Sequence, residues 1–387
     1  MVKTNPFTPK SGIGPRIFLD REEEICLFLK KIGEAKKGAQ NHYVINGEWG
    51  IGKTTLLKYF KILAQKENCF AAYFPAREFK YGADDEEMVI HILQSIARNL
   101  PIKLDEKCSF FKIIKGFGVQ FMGTGINLEF SSDKTKIIDA QNLLLDGLLH
   151  LWDDLKDKTK SLVVLIDDVQ NWKDVNRLFT LLKNVLSSDE VTKNTKYLFL
   201  LSSTTCGWQQ FIIRNHPIGR FFIPRIELKR FDKVSTIKLV KEFLKGTGVS
   251  FSYDVTNLVF EFTQGHLFEI HALCSSLYDC EINGKVTMEQ WKGGLEKGLM
   301  YLGTSVFDNY LQVSEREKES LIALSFFNEP VELNKIACKC RELKYGIKNL
   351  NQYIRRLVEK KVIQNPSRGT YFTEDKLFRE YVRTSFT

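Results

Sequence analysis

Eight residues, Gly47-Glu48-Trp49-Gly50-Ile51-Gly52-Lys53-Thr54, leave this chain few ways to fold. They satisfy the pattern G-x-x-x-x-G-K-[ST], in which glycines let the backbone curl until successive N–H groups point at one spot. An apolar stretch at 43–45 precedes them, and a run of good helix formers at 54–65 follows. Strand, tight loop and helix N-terminus in that order make a phosphate cradle. The loop N–H groups hold the anion, Lys53 bridges the β- and γ-phosphates, and the Thr54 hydroxyl ligates Mg²⁺. Residues 47–54 and the adjoining Thr55 are therefore the expected contacts to ATP.

A second element must supply a metal ligand and a handle on water. Leu162-Val163-Val164-Leu165-Ile166 is wholly apolar and runs into Asp167-Asp168. Asp167, closing a buried strand, is the expected second Mg²⁺ ligand, directly or through water. Asp168 is placed to orient or polarise the attacking water. The alternative is an Asp pair that only caps the next turn. The strand expected at 197–201 runs into Ser202-Ser203-Thr204-Thr205 and should lie between the phosphate loop and the acidic strand. Ser203 or Thr204 is placed there to sense the γ-phosphate, with a plain Ser/Thr-rich turn as the alternative. Arg214 and Arg220 flank the next loop, with Gly219-Arg220-Phe221 expected just before a strand at 221–227. Arg220 can neutralise a transferring phosphoryl group, in trans if copies stack, or be a solvated surface arginine.

Elsewhere strands and helices alternate, which implies a parallel sheet covered on both faces. A further strand is expected at 70–74, and helices at 84–99, 137–156 and 175–186. Ile25, Leu27, Phe28, Leu29 and Ile32 give an earlier helix its apolar side, with Asp20 as its cap. Residues 116–130 alternate apolar and polar side chains around glycines, as a β-hairpin does. After Leu228 the strands stop, and helices are expected at 232–245, 254–263, 267–278 and 287–301. Helices at 315–326, 333–338 and 347–360 then precede a hairpin at 362–372 and a helix at 374–384. At 387 residues the chain has room for two or three domains. The expected fold is an α/β P-loop NTPase sheet with helices on both faces over 1–228, an all-helical lid over 229–305, and a winged helix-turn-helix domain over 306–387.

With these residues in place, the chain resembles the archaeal-type ATPases of the AAA+/STAND group, which includes the replication-initiator ATPases. Ile17-Phe18-Leu19-Asp20-Arg21-Glu22-Glu23-Glu24 is similar to the F-x-G-R-E-x-E box of those families, although Asp20 replaces its glycine. The resemblance implies that this box, with Arg21, helps hold the adenine. Thr263-Gln264-Gly265-His266-Leu267 resembles the T-x-G-x-P box of the lid, with Leu267 in place of proline. The lid box is expected to pack near the nucleotide. Asp168 stands where many relatives carry glutamate, and the shorter arm implies slow hydrolysis, suited to a switch.

Two functions follow from different uses of the C-terminal block. In one, the winged helix engages duplex DNA through Lys348, Arg355, Arg356 and Arg368, with Lys360 and Lys361 at the helix end. In the other, it is a protein-interaction or autoinhibitory module of a signalling ATPase. From Asp308 onward there are 15 Lys and Arg against 11 Asp and Glu, a mild bias, and the whole chain carries +9. Neither figure chooses between the two. ATP and a homo-oligomer formed in the ATP state are the other expected partners. No apolar run approaches the roughly 20 residues that span a bilayer, so a cytoplasmic home without membrane contact is expected. The eight cysteines form no C-x-x-C pair and read as buried reduced thiols, and His266 and His271 as structural.

Overall fold

The computed structural model describes residues 4–9, 18–76, 78, 84–105, 107–116, 119–121, 128–130, 139–172, 176–214, 216–307, 313–360 and 362–386. The chain divides into two compact units: Ser11–Lys229, and Met1–Lys10 together with Arg230–Thr387.

The first unit begins with α1 (Glu22–Lys36), β1 (Tyr43–Gly47), α2 (Lys53–Lys66), β2 (Phe70–Pro75), α3 (Asp85–Arg98) and α4 (Ser109–Gly116). The expected hairpin follows as β3 (Val119–Phe121) paired antiparallel with β4 (Leu128–Phe130). Then come α5 (Ala140–Leu155), β5 (Leu162–Asp167), α6 (Asn176–Leu186), α7 (Asp189–Asn194) and β6 (Tyr197–Thr204). The unit closes with α8 (Thr205–Arg214), α9 (His216–Phe221) and β7 (Arg225–Leu228).

Five strands form one parallel sheet in the order β2-β5-β6-β1-β7. Successive side chains face opposite sides of it. Val44, Val164, Phe199 and Leu201 join the core made with α3, α5 and α6, while Tyr43, Val163, Leu165 and Leu200 join the core made with α1 and α2. Being buried on both faces is why β5 reads as an unbroken apolar run. Each such side chain contributes about 1.5–3 kcal/mol through burial, enough in sum to hold the strand ends rigidly. On the α1–α2 side, Phe28 stacks on Phe60 with ring centroids 4.0 Å apart.

Three local expectations are corrected. β6 extends past its apolar run to Thr204, so Ser202 and Ser203 are strand residues. No strand starts at Phe221, which instead ends α9; Phe222 is buried against Trp208 while Ile223 is 55% exposed, so the Phe-Phe-Ile run serves a core edge and β7 begins only at Arg225. Arg21, not Asp20, stands at the N-cap of α1, and Asp20 adopts a left-handed backbone at φ 56°.

The second unit contains α10 (Lys233–Leu244), β8 (Ser250–Phe251), α11 (Tyr253–Thr263), α12 (Leu267–Tyr278), β9 (Lys285–Val286) and α13 (Met288–Leu302). It continues with α14 (Glu315–Ser325), β10 (Val331–Glu332), α15 (Leu333–Glu342), α16 (Leu350–Glu359), β11 (Thr370–Tyr371) and α17 (Lys376–Phe386). β8 pairs parallel with β9, and β10 antiparallel with β11. At 362–372 the pairing is a single bridge, Gln364 to Phe372, because Thr370 and Tyr371 pair with β10 instead. One buried cluster runs from Ala272, Leu299 and Leu302 to Ile354, Leu357 and Tyr381, so helices on both sides of residue 305 share a core.

Residues 4–9 belong to this unit as well. Phe7 is 3% exposed, with its ring 5.5 Å from that of Phe243 and 6.1 Å from that of Phe251, and Asn5 Nδ2 donates to Ser275 O at 3.0 Å. His271 serves the same seam, accepting from Thr8 N–H through Nδ1 at 3.3 Å. Cysteines are less uniformly buried than expected: Cys69, Cys274 and Cys340 are buried, whereas Cys26, Cys206 and Cys338 are exposed. No helix among the described residues is long and apolar enough to cross a membrane.

Candidate functional site

The site gathers where β1, β5 and β6 end at the carboxyl edge of the sheet, the edge at which open α/β sheets bind ligands. Gly47 closes β1, and a side chain there would bring its Cβ within 2.9 Å of Ile51 Cγ2 and 3.3 Å of Leu228 Cβ. The loop turns through Gly50 at φ 77° and Gly52 at φ 102°, conformations that only glycine adopts readily. Ile51 is buried and pins the loop from below, while Glu48 and Trp49 are exposed. Gly52 is the N-cap of α2 and Lys53 its first residue, so Lys53, Thr54 and Thr55 stand on the opening turn of a helix.

Lys53 is 5% exposed and its ammonium donates to two loop carbonyls, Gly47 O at 3.1 Å and Glu48 O at 2.8 Å. Burial lowers its pKa, and Asp168, Asp167 and Glu48 act against that shift. A partly desolvated cation among carbonyls is primed for a stronger anionic partner.

Asp167 is 2% exposed at the end of β5. The Ser202 hydroxyl donates to its Oδ1, and the Tyr73 hydroxyl donates to its Oδ2 at 2.9 Å. Burial, followed by the Asp167 charge, raises the Tyr73 pKa, so the phenol stays a donor. Asp168 adopts the left-handed region at φ 54°, and its N–H donates to Ser202 Oγ at 2.9 Å. Its Oδ1 accepts from Gln170 Nε2 at 3.0 Å. The two aspartates are thus held by separate networks that meet at Ser202.

Strand alternation divides the serines of β6. Ser202 faces Asp167, and Ser203 faces the opposite side of the sheet. Ser203 pairs in register with Asn46 of β1. Both are buried, and neither Ser203 Oγ nor Asn46 Oδ1 has a hydrogen-bond partner among the described residues. Leaving such atoms unpaired is costly, which marks this step of the sheet as a place where a polar ligand or water completes the bonding. Ser202, Tyr73, Gln170 and Asn46 were not singled out from sequence. The signal for Ser202 and Asn46 was present as polar residues closing otherwise apolar strands.

Other expected residues belong to other elements. Arg21 is buried and donates to the carbonyls of Asp20 at 3.1 Å and Lys229 at 3.0 Å, tying the start of α1 to the chain just after β7. Arg220 lies exposed in the last turn of α9, with no strand directly after it. Arg214 ends α8, and its side chain lies outside the described residues. In the second unit Gln264 and Gly265 are both left-handed, at φ 48° and 76°, and Phe231 N–H donates to Gly265 O at 3.0 Å. Lys348, Arg355, Arg356 and Arg368 are all exposed. Lys360, by contrast, forms an ion pair with buried Glu317 at 3.0 Å, and Lys361 lies outside the described residues.

A family model for an ATPase domain predominantly from Archaea matches residues 18–271. Among curated proteins none matches the chain. Among solved structures, the Walker-type ATPase paby2304 of Pyrococcus abyssi is similar, at 16% identity with a TM-score of 0.60, covering 98% of this chain and 99% of that one. The ORC2 protein of Aeropyrum pernix, solved as ADPNP–ADP complexes, is similar at 16% identity and a TM-score of 0.59, covering 97% of each chain. At these identities the likeness establishes a shared fold.

Proposed function

The chain belongs to the family of ATPase domains found predominantly in Archaea, and from that membership we propose that it is a nucleotide-dependent switch whose ATP cycle controls duplex DNA engagement by a C-terminal winged helix. It is a P-loop ATPase, and the observation that carries the reading is the convergence of buried Lys53 with Asp167 and Asp168 at one sheet edge.

Lys53 exchanges its loop carbonyls for phosphate oxygens when ATP binds. Thr54 and Asp167 are the residues that would hold Mg²⁺. A hydroxyl and a carboxylate are the hard oxygen donors that this ion prefers. Each Asp167 oxygen already accepts one hydrogen bond and retains a further lone pair. Held by these residues, Mg²⁺ would supply positive charge to offset that of the β- and γ-phosphates. Asp168 orients the attacking water, and Ser203 with Asn46 supplies polar atoms that sense the γ-phosphate. The short aspartate arm suits slow turnover. Arg220, exposed on α9, serves a neighbouring copy in an ATP-state homo-oligomer. Arg21 contributes on the adenine side by fixing the backbone where α1 begins.

For the winged helix, support comes from α14, α15 and α16 with the β10–β11 ladder, and from exposed Arg355 and Arg356 on α16 with Lys348 and Arg368 flanking it. Such side chains neutralise DNA phosphates. The test uses the full chain, because residues past 305 share their core with α12 and α13. Expected are duplex binding that weakens as salt rises, its loss in an Arg355→Ala/Arg356→Ala variant, and stimulation of ATPase by duplex. No binding at low salt overturns the DNA reading and leaves a protein-interaction module. On the ATPase side, Asp168→Asn keeps ATP binding and slows turnover by about 10²–10⁴-fold. Equal rates for the two proteins overturn its assigned role.

A further inference from the structure

We infer that Gln170 is the positioning residue for Asp168, a brace that fixes the aspartate carboxylate by tying it to the backbone of β6. The inference rests on the reading of Asp168 given above.

Both ends of the Gln170 amide are engaged. Nε2 donates to Asp168 Oδ1 at 3.0 Å, and Oε1 accepts from Thr204 N–H at 3.0 Å. Glutamine suits the place because one planar group offers a donor at one end and an acceptor at the other. Glutamate would set a like charge against Asp168, and asparagine is one methylene too short to span both partners.

Asp168 needs such a brace. Its side chain is only half-buried, and its backbone is held at φ 54° with the N–H anchored on Ser202. Those bonds fix the main chain but leave two side-chain torsions free. The Gln170 bond removes that freedom, and a carboxylate that orients water is effective only when its direction is set in advance.

The surroundings make room for the brace. Gly207, in the first turn of α8, faces Gln170: a Cβ there would lie 2.5 Å from Gln170 Cβ and 3.2 Å from Ser203 Oγ. The anchor point, Thr204 N, adjoins Ser203. Gln170 therefore connects the carboxylate to the strand end proposed to feel the γ-phosphate, so a shift of that strand end is passed on to Asp168.

The test compares full-length wild type with Gln170→Met, which keeps chain length and volume but neither hydrogen bond. Turnover should fall about 10- to 100-fold, as is usual when an orienting partner is removed. ATP affinity measured calorimetrically with Mg²⁺ should change by less than about twofold, a split that general misfolding does not give. In an Asp168→Asn background, Gln170→Met should cause no further loss, because its effect passes through Asp168. Gln170→Asn, a second variant in case the first folds poorly, should lose turnover with the same unchanged affinity. Wild-type turnover in both variants, or a full additional loss in the Asp168→Asn background, overturns the brace. If Asp168→Asn alone turns over at the wild-type rate, the reading of Asp168 fails first and the inference falls with it.

Discussion

The Ser202 hydroxyl donates to the buried carboxylate of Asp167, and the same oxygen accepts the Asp168 N–H. One small side chain therefore sets both the proposed metal ligand and the backbone of the aspartate proposed to orient water.

Ser202→Ala removes both bonds and leaves the place of the hydroxyl oxygen unfilled. Leaving the Asp168 N–H without its partner should cost about 1–3 kcal/mol, read as a lower urea midpoint at unchanged slope. Turnover should fall with it. A variant as stable and active as wild type contradicts the linking role.

Lys53→Met should abolish ATP binding, weakening it by about 100-fold or more in a calorimetric titration. Its effect on the nucleotide-free protein runs the other way. Burial lowers the Lys53 pKa, which means the charged form is held at a cost. The melting temperature without nucleotide should therefore stay level or rise, and a clear drop counts against a strained, function-first lysine.

Gly265→Ala should unfold the second unit or nearly so. The added Cβ would stand 1.8 Å from the carbonyl oxygen of Phe231, at a backbone φ of 76°. Neither group can move freely, because Phe231 N–H is bonded to Gly265 O. Several kcal/mol of destabilisation is the expected scale, measured by denaturant titration.

Acid should weaken the second unit through His271. Its ring lies 4.8 Å from that of Phe243, and burial pushes its pKa down to about 4. The unfolded value is near 6.5, so between these limits the unfolded chain binds the extra proton. The stability from neutral His271 is complete above about pH 6.5 and drains away as pH falls toward 4. His271→Gln should show a flatter dependence of melting temperature on pH across that window. Parallel curves for variant and wild type rule this out.

Much of the first unit was legible because Gly47–Thr54 admits one backbone path, and that path dictates the strand before it and the helix after it. The strand that Asp167 ends was legible for a like reason, as an apolar run closed by charges. Residues acting through hydrogen bonds were not, since Gln170 and Tyr73 gain their roles only from partners on neighbouring strands. Arg21 shows the reverse: the box that contains it was visible, but its bond to Lys229 arises from a chain segment some 200 residues away, a separation no local pattern carries. The Phe-Phe-Ile run failed as a strand because apolar residues at a core edge look the same whether they end a helix or begin a ladder.

The seating of Phe7 between Phe243 and Phe251 has a consequence for synthesis. Residues 4–9 leave the ribosome before the partners they dock on, and Phe243 emerges more than 230 residues after Phe7. At about 5–20 residues per second that is a wait of roughly 10–50 s. Every strand of the parallel sheet is complete by Leu228, so the nucleotide-binding unit folds while its neighbour still lacks most of its residues. The segment at 4–9 is thus made before the parallel sheet and placed after it.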